Sequence, residues 1–182
     1  QRVAEWGRLT AARLGLPPYR TELLYDAALL HDLGKIVLDE RVLNKWERLT
    51  PEEWEQIKLH PLLGAEILQA TPLLESIVPW VVYHHERPDG KGYPHGLKGD
   101  DIPLEARIIA VIDAFDAMVG GATPGERRKY REPLSIEEAL EELRKGAGTQ
   151  FDPLVVETFE QVVRQSLTIV EQEVSRASIA SG

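Results

Sequence analysis

Apolar residues recur along this chain every three or four positions almost from end to end, the period of helices that bury one face. Val3, Trp6, Leu9 and Ala12 form the stripe of a first helix, which Gly15 and Pro17-Pro18 end. A second, buried helix is predicted over 22–33 from Leu23, Leu24, Ala27, Ala28, Leu29 and Leu30, with Gly34 as its stop. Thr50-Pro51-Glu52-Glu53 reads as a capping box with proline in the first helical position, opening a helix through His60. Pro61 then requires a kink or a new helix. Residues 72–85 read as one apolar helix through Leu73, Leu74, Ile77, Val81 and Val82.

The stretch 86–101 cannot be regular, with glycine at 90, 92, 96 and 99 and proline at 88 and 94. After Pro103 comes a helix carrying Leu104, Ala106, Ile108, Ile109, Val111, Ile112 and Phe115, then a loop at 120–125 and a charged run at 126–131. Ser135-Ile136-Glu137-Glu138 is a second capping box, opening a helix to about Lys145. Asp152-Pro153 starts the last long helix, on Leu154, Val155, Phe159, Val162 and Val163. The tail from Arg176 is polar and small and is expected to fray. No segment alternates with period two and no repeat is visible. The expected fold is an all-α bundle, one domain over 1–175 with a tail at 176–182, its chemistry near helix ends.

Composition narrows the function. At 182 residues the chain can bury roughly 70% of its unfolded surface without staples. It has no cysteine, which removes disulfides, thiolate ligands and a cysteine nucleophile. A formal charge of -9 and a pI near 5.1 argue against a nucleic-acid polymer as partner. A small anion can still bind where cations invert the local potential. No apolar run is long enough to cross a bilayer, no signal peptide is visible, and a cytoplasmic domain is expected. Gln1 opens directly on a helical pattern without an initiator methionine, so the chain is expected to be a piece of a longer one.

Four of the five histidines stand beside carboxylates or each other: His31-Asp32, His60 and His84-His85, followed by Asp113. Imidazoles and carboxylates hold first-row divalent metals such as iron, manganese or zinc, and six donors exceed what one tetrahedral ion needs. Two ions about 3.5–4 Å apart suit in-line displacement at phosphorus. A His-Asp pair in an apolar helix is costly to bury unless the charges meet a metal or a partner. Taken singly, each residue has an ordinary reading, as a satisfied core histidine, a helix-end charge or a paired aspartate. Asp113 lies among Ile108, Ile109, Val111, Ile112 and Phe115, and Asp116, three positions on, is a candidate to orient a ligand. Lys35, just past Gly34, has an ordinary surface reading, and beside the candidate ions its ammonium can meet a phosphate oxygen. His95, in the glycine-rich loop, is expected to be solvated. Gly92-Tyr93-Pro94 is too glycine-rich for core and is expected to hold the Tyr93 ring outward, where it can stack on a base, although glycine-rich turns also permit a tyrosine packed back onto the helices.

Leu30-His31-Asp32-Leu33-Gly34-Lys35, His60-Pro61, His84-His85-Glu86, Asp89-Gly90-Lys91-Gly92-Tyr93-Pro94 and Asp113-Ala114-Phe115-Asp116-Ala117 together resemble the HD-GYP family, a branch of the HD-domain metal hydrolases. The likeness runs from about Val3 to Val163. It implies a helical core holding two or three divalent metal ions, iron or manganese expected, and hydrolysis of the bacterial second messenger cyclic di-GMP to pGpG and/or GMP. By position it implies His31, Asp32, His60, His84, His85 and Asp113 as metal ligands, with Asp32 bridging and catalytic. Lys35 resembles the family's phosphate-facing lysine, Tyr93 the loop tyrosine near the guanine base, and Arg128 and Arg131 the basic residues on the phosphates. The implied partners are cyclic di-GMP, an upstream sensory or regulatory domain, GGDEF-domain proteins and a second copy of the chain. The family's first helix usually carries a histidine ligand immediately before the stretch resembling Gln1-Arg2-Val3, and residues 120–129 are longer than the segment usual there. The alternatives are a receptor that binds cyclic di-GMP without turnover, an HD hydrolase of another cyclic dinucleotide or nucleotide, and a helical scaffold that binds no metal.

Overall fold

A computed structural model describes residues 1–45, 47–120 and 132–180. Among these residues every extended element is helical, and the only β feature is an isolated bridge between Ala147 and Phe151. The helices are α1 (Arg2–Arg13), α2 (Pro18–Leu30), α3 (Glu40–Leu43), α4 (Pro51–Ile57), α5 (His60–Gln69), α6 (Val78–Val82), α7 (Leu104–Met118), α8 (Ile136–Gly146) and α9 (Pro153–Ala180), with 3₁₀ turns at Leu33–Val37, Pro72–Ile77 and Gly99–Asp101. The all-α expectation holds.

The core follows from the apolar stripes. Helix α7 lies at its centre, with Ile108, Ile109, Val111 and Ile112 fully buried and Phe115 nearly so. Helix α1 packs against α2, α7 and α9, and α6 packs against α2, α5 and α7. Trp6 and Phe115 both meet the buried Phe159 ring edge-on, at 5.8 and 5.0 Å, joining α1, α7 and α9. Both capping boxes are present: Thr50 with Glu53, and Ser135 with Glu138.

Four expectations change. Helix α2 starts at Pro18 and ends at Leu30, so His31 caps it and Asp32 precedes a 3₁₀ turn. Helix α4 ends at Ile57, and His60 opens a new helix on Pro61. Residues 72–85 are not one helix, because Pro79 lacks the amide that a continuous helix needs. A 3₁₀ turn gives way to α6, which stops at Val82, so His84 and His85 stand in the following turn. Helix α9 runs to Ala180, past the expected fraying point at Arg176, since neither glycine nor proline interrupts it.

Candidate metal centre

Three histidines are oriented by the same device. The Nδ1 of His31 lies 2.7 Å from the Ala28 carbonyl oxygen, that of His60 2.8 Å from Ile57 O, and that of His84 2.6 Å from Val81 O. Each acceptor is the carbonyl three residues back, near a helix end where carbonyls lack intrahelical partners. With Nδ1–H donating outward, each Nε2 points inward, the nitrogen that a neutral ring offers to a metal.

The inner atoms converge on Asp32. Its Oδ1 is 3.3 Å from His60 Nε2 and its Oδ2 is 3.3 Å from His31 Nε2, so the two carboxylate oxygens face two groups of donors. On one side His60 Nε2 and His84 Nε2 stand 3.3 Å apart. Asp32, His60, His84 and His85 each offer a ligand atom, all within 4.8 Å of one another. On the other side His31 Nε2 lies 3.4 Å from Asp113 Oδ1. Two inward lone pairs at 3.3 Å repel unless a cation sits between them. The buried His31 Nε2 has no hydrogen-bond partner among the described atoms. These observations fit a divalent metal, as does a donor set of nitrogens and carboxylate oxygens without sulfur.

Electrostatics agree. Burial, then the neighbouring His31 and His60 rings, pushes His84 well below its usual range; burial, then the neighbouring His84 and His60, does the same for His85. Both are therefore neutral, the ligating form. Burial opposes ionisation of Asp32 and Asp113, but it is outweighed by His31 together with His60 and Lys35 at Asp32, and by His31 together with His85 at Asp113, so both are lowered. For His31, burial is overcome by Asp113 and Asp32, which raise it well above its usual range. The space between His31 and the two carboxylates therefore favours positive charge, as a cation site does.

Backbone contact sets the spacing between the His31-Asp32 and His60 segments. A Cβ on Gly34 would lie 2.0 Å from His60 O and 2.5 Å from Gly64 N, so the 3₁₀ turn presses directly on α5. The sequence reads Gly34 as a helix stop; its role here is close approach. Lys35 Nζ lies 2.7 Å from Asp32 Oδ2, which brings an ammonium to the edge of the cluster.

The loop after His85 is pinned by Glu86. Its buried carboxylate accepts the backbone amides of His95 (2.7 Å) and Gly96 (3.0 Å) on Oε1 and of Leu97 (3.0 Å) on Oε2. Tyr93 N donates to His85 O at 3.2 Å, and a Cβ on Gly92 would fall 2.5 Å from Glu86 Cα. The Tyr93–Pro94 bond is cis. The Tyr93 ring does not point outward as expected. It folds back onto His85, stacked at 4.8 Å and 29°, with Trp54 edge-on beyond it at 6.4 Å. Burial, then the charges of Asp32 and Asp113, raises its hydroxyl above the usual range.

The remaining candidates divide. His95 is exposed, as expected, with its ring 5.7 Å from Tyr83. Asp116 turns away from the cluster to Arg2, 2.7 Å distant. Arg128 and Arg131 lie outside the described residues. The sequence reading passed over Glu86, Gly64 and Trp54. An acidic residue opening a glycine-rich loop was a usable signal for the first; the other two depend on tertiary contacts.

A family model described as HD domain matches residues 1–155. The chain is 40% identical over 152 residues to a Vibrio cholerae protein named "Probable cyclic di-GMP phosphodiesterase", covering 79% of this chain and 33% of that protein. It is 39% identical over 169 residues to a cyclic di-GMP phosphodiesterase of Thermotoga maritima, covering 92% and 44%. The crystal structure of a cyclic GMP-AMP specific phosphodiesterase of Vibrio cholerae superposes with a TM-score of 0.68 at 25% identity, covering 90% of this chain and 43% of that one. The chain thus spans less than half the length of each of these relatives. No helix among the described residues is long and apolar enough to cross a membrane. With its helical fold, its buried His-Asp cluster and a family match over most of its length, this chain belongs to the HD domain family.

Proposed function

We propose that this chain is a metal-dependent phosphodiesterase domain that hydrolyses cyclic di-GMP to pGpG and/or GMP in bacterial second-messenger signalling. One observation carries the reading: the two oxygens of Asp32 face two groups of inward donors, the Nε2 atoms of His31, His60 and His84 each within 3.3–3.4 Å of a carboxylate oxygen or a second imidazole. In this reading His31, Asp32, His60, His84, His85 and Asp113 would hold two divalent ions, iron or manganese, with Asp32 facing both groups of donors. Such ions supply Lewis acidity toward a phosphoryl oxygen and a water made nucleophilic at neutral pH.

The chain's own residues do the rest. The carbonyls of Ala28, Ile57 and Val81 keep three imidazoles in one tautomer and orientation, so no reorganisation is needed as charge develops. Lys35, held at Asp32, offers an ammonium to a phosphate oxygen. Tyr93, over His85, walls the cluster with an aromatic ring. Arg128 and Arg131 are proposed to meet the substrate's phosphates. The same reading has the domain act in the cytoplasm as the output of a sensory or regulatory domain, with GGDEF-domain proteins and a second copy of the chain as further partners.

Product analysis of metal-loaded protein incubated with cyclic di-GMP tests this. Appearance of pGpG or GMP is the expected result; nucleotide bound but recovered intact identifies a receptor instead. A second reading, hydrolysis of cyclic GMP-AMP, is favoured by the structural likeness to a phosphodiesterase of that specificity. Running both nucleotides side by side separates the two.

A further inference from the structure

We propose that Trp54 is a base-stacking residue of this site, its indole and the Tyr93 ring forming a corner that takes a purine of the substrate. The inference rests on the phosphodiesterase reading above. Three rings run outward from the cluster: His85 stacks under Tyr93 at 4.8 Å, and Trp54 stands across Tyr93 at 6.4 Å and 78°. Trp54 is thus two ring contacts from a candidate ligand, on a different segment from every residue of the cluster.

The indole has no share in the core. It retains 38% of its exposure on α4, where its neighbours Glu52, Glu53, Glu55 and Gln56 are polar. Tyr93, by contrast, is half-buried with one face against His85. The free aromatic surface of this corner therefore belongs to Trp54. A planar base lying on the indole turns its edge toward the Tyr93 face, the perpendicular arrangement that aromatic rings favour. The acidic flank of α4 is softened for an anionic ligand, because Lys45 pairs with Glu53 and Lys58 with Glu55. In a cyclic dinucleotide each base hangs from a ribose next to a phosphate. A base several ångströms from the reacting phosphorus is what this wall would meet.

Trp54→Ala and Trp54→Phe, each metal-loaded and assayed for cyclic di-GMP hydrolysis alongside the parent, provide the test. Stacking predicts that Trp54→Ala raises KM about tenfold, within the range seen for loss of one base-stacking aromatic, with kcat within about twofold and metal content unchanged. Trp54→Phe keeps a ring and stays within about threefold of the parent KM. An unchanged KM in Trp54→Ala overturns the proposal, and so does a phenylalanine variant as weak as the alanine one. A fall in kcat together with metal loss also overturns it, since that marks a structural role through the Ile57 carbonyl that holds His60. If the parent turns over no cyclic dinucleotide, the phosphodiesterase reading fails and takes this inference with it. If the parent is active and the Trp54 variants match it, stacking alone fails.

Discussion

Replacing Gly34 by alanine tests how the fold sets the ligand spacing. The added Cβ would stand 2.0 Å from His60 O and 2.5 Å from Gly64 N, against an ordinary contact of 3.4 Å or more. The 3₁₀ turn and α5 must therefore separate by about 1.4 Å. Both obstacles are backbone, so no side-chain rotation relieves them. Overpacking of this kind costs about 1–3 kcal/mol, or roughly 2–12 °C in Tm for a chain of this size. The chemical consequence is larger. His60 Nε2 is 3.3 Å from both Asp32 Oδ1 and His84 Nε2, and metal sites tolerate ligand displacements of about 0.2 Å. Turnover should fall by about a hundredfold or more, with metal content reduced. Gly7→Ala is the control: the new Cβ meets nothing closer than 3.9 Å inside α1, so helix propensity should raise stability by about 0.5–1 kcal/mol. Thermal melts, elemental analysis and steady-state kinetics on both variants give the readout. Gly34→Ala protein with parental Tm, metal and activity would refute the spacing argument.

Asp32→Ala should abolish turnover while leaving helical content by circular dichroism largely intact; activity within about tenfold of the parent would contradict the shared-ligand role. Glu86→Gln weakens three amide contacts to a buried carboxylate, at a cost of about 2 kcal/mol, or roughly 4–8 °C in Tm. Metal should be retained and KM raised as the Tyr93 loop loosens; an unchanged melt would mean the loop is held by other contacts. His95→Ala should be nearly silent in metal content and kinetics, and loss of metal would show that this exposed histidine reaches the cluster.

Five of the six candidate ligands were legible because they stand at or beside a helix boundary that local chemistry announces, and Asp113, inside α7, because a carboxylate in an apolar run needs a partner. His31-Asp32 precedes Gly34, His60 precedes Pro61, and His84-His85 precedes a run of glycines. Two capping boxes were equally plain, since both partners sit within four residues. What stayed hidden depends on contacts distant in sequence. The periodicity of 72–85 is helical throughout, and only the consequence of Pro79 for its own amide divides the segment. Gly34 serves a partner 26 residues away, so its neighbours suggest nothing beyond a helix end. Tyr93 has an extended loop around it in either direction; that it folds inward follows from the Glu86 carboxylate collecting the amides beyond it. Asp116 shares a helix face with Asp113, yet its carboxylate pairs with Arg2 of α1.

The central claim is that the inward donors around Asp32 form a centre for more than one metal. Elemental analysis of protein purified without chelator and reconstituted with iron or manganese tests it most directly. About two ions per chain is the expected result, with Asp32→Ala losing both; a parent protein holding less than about one ion per chain would contradict the account.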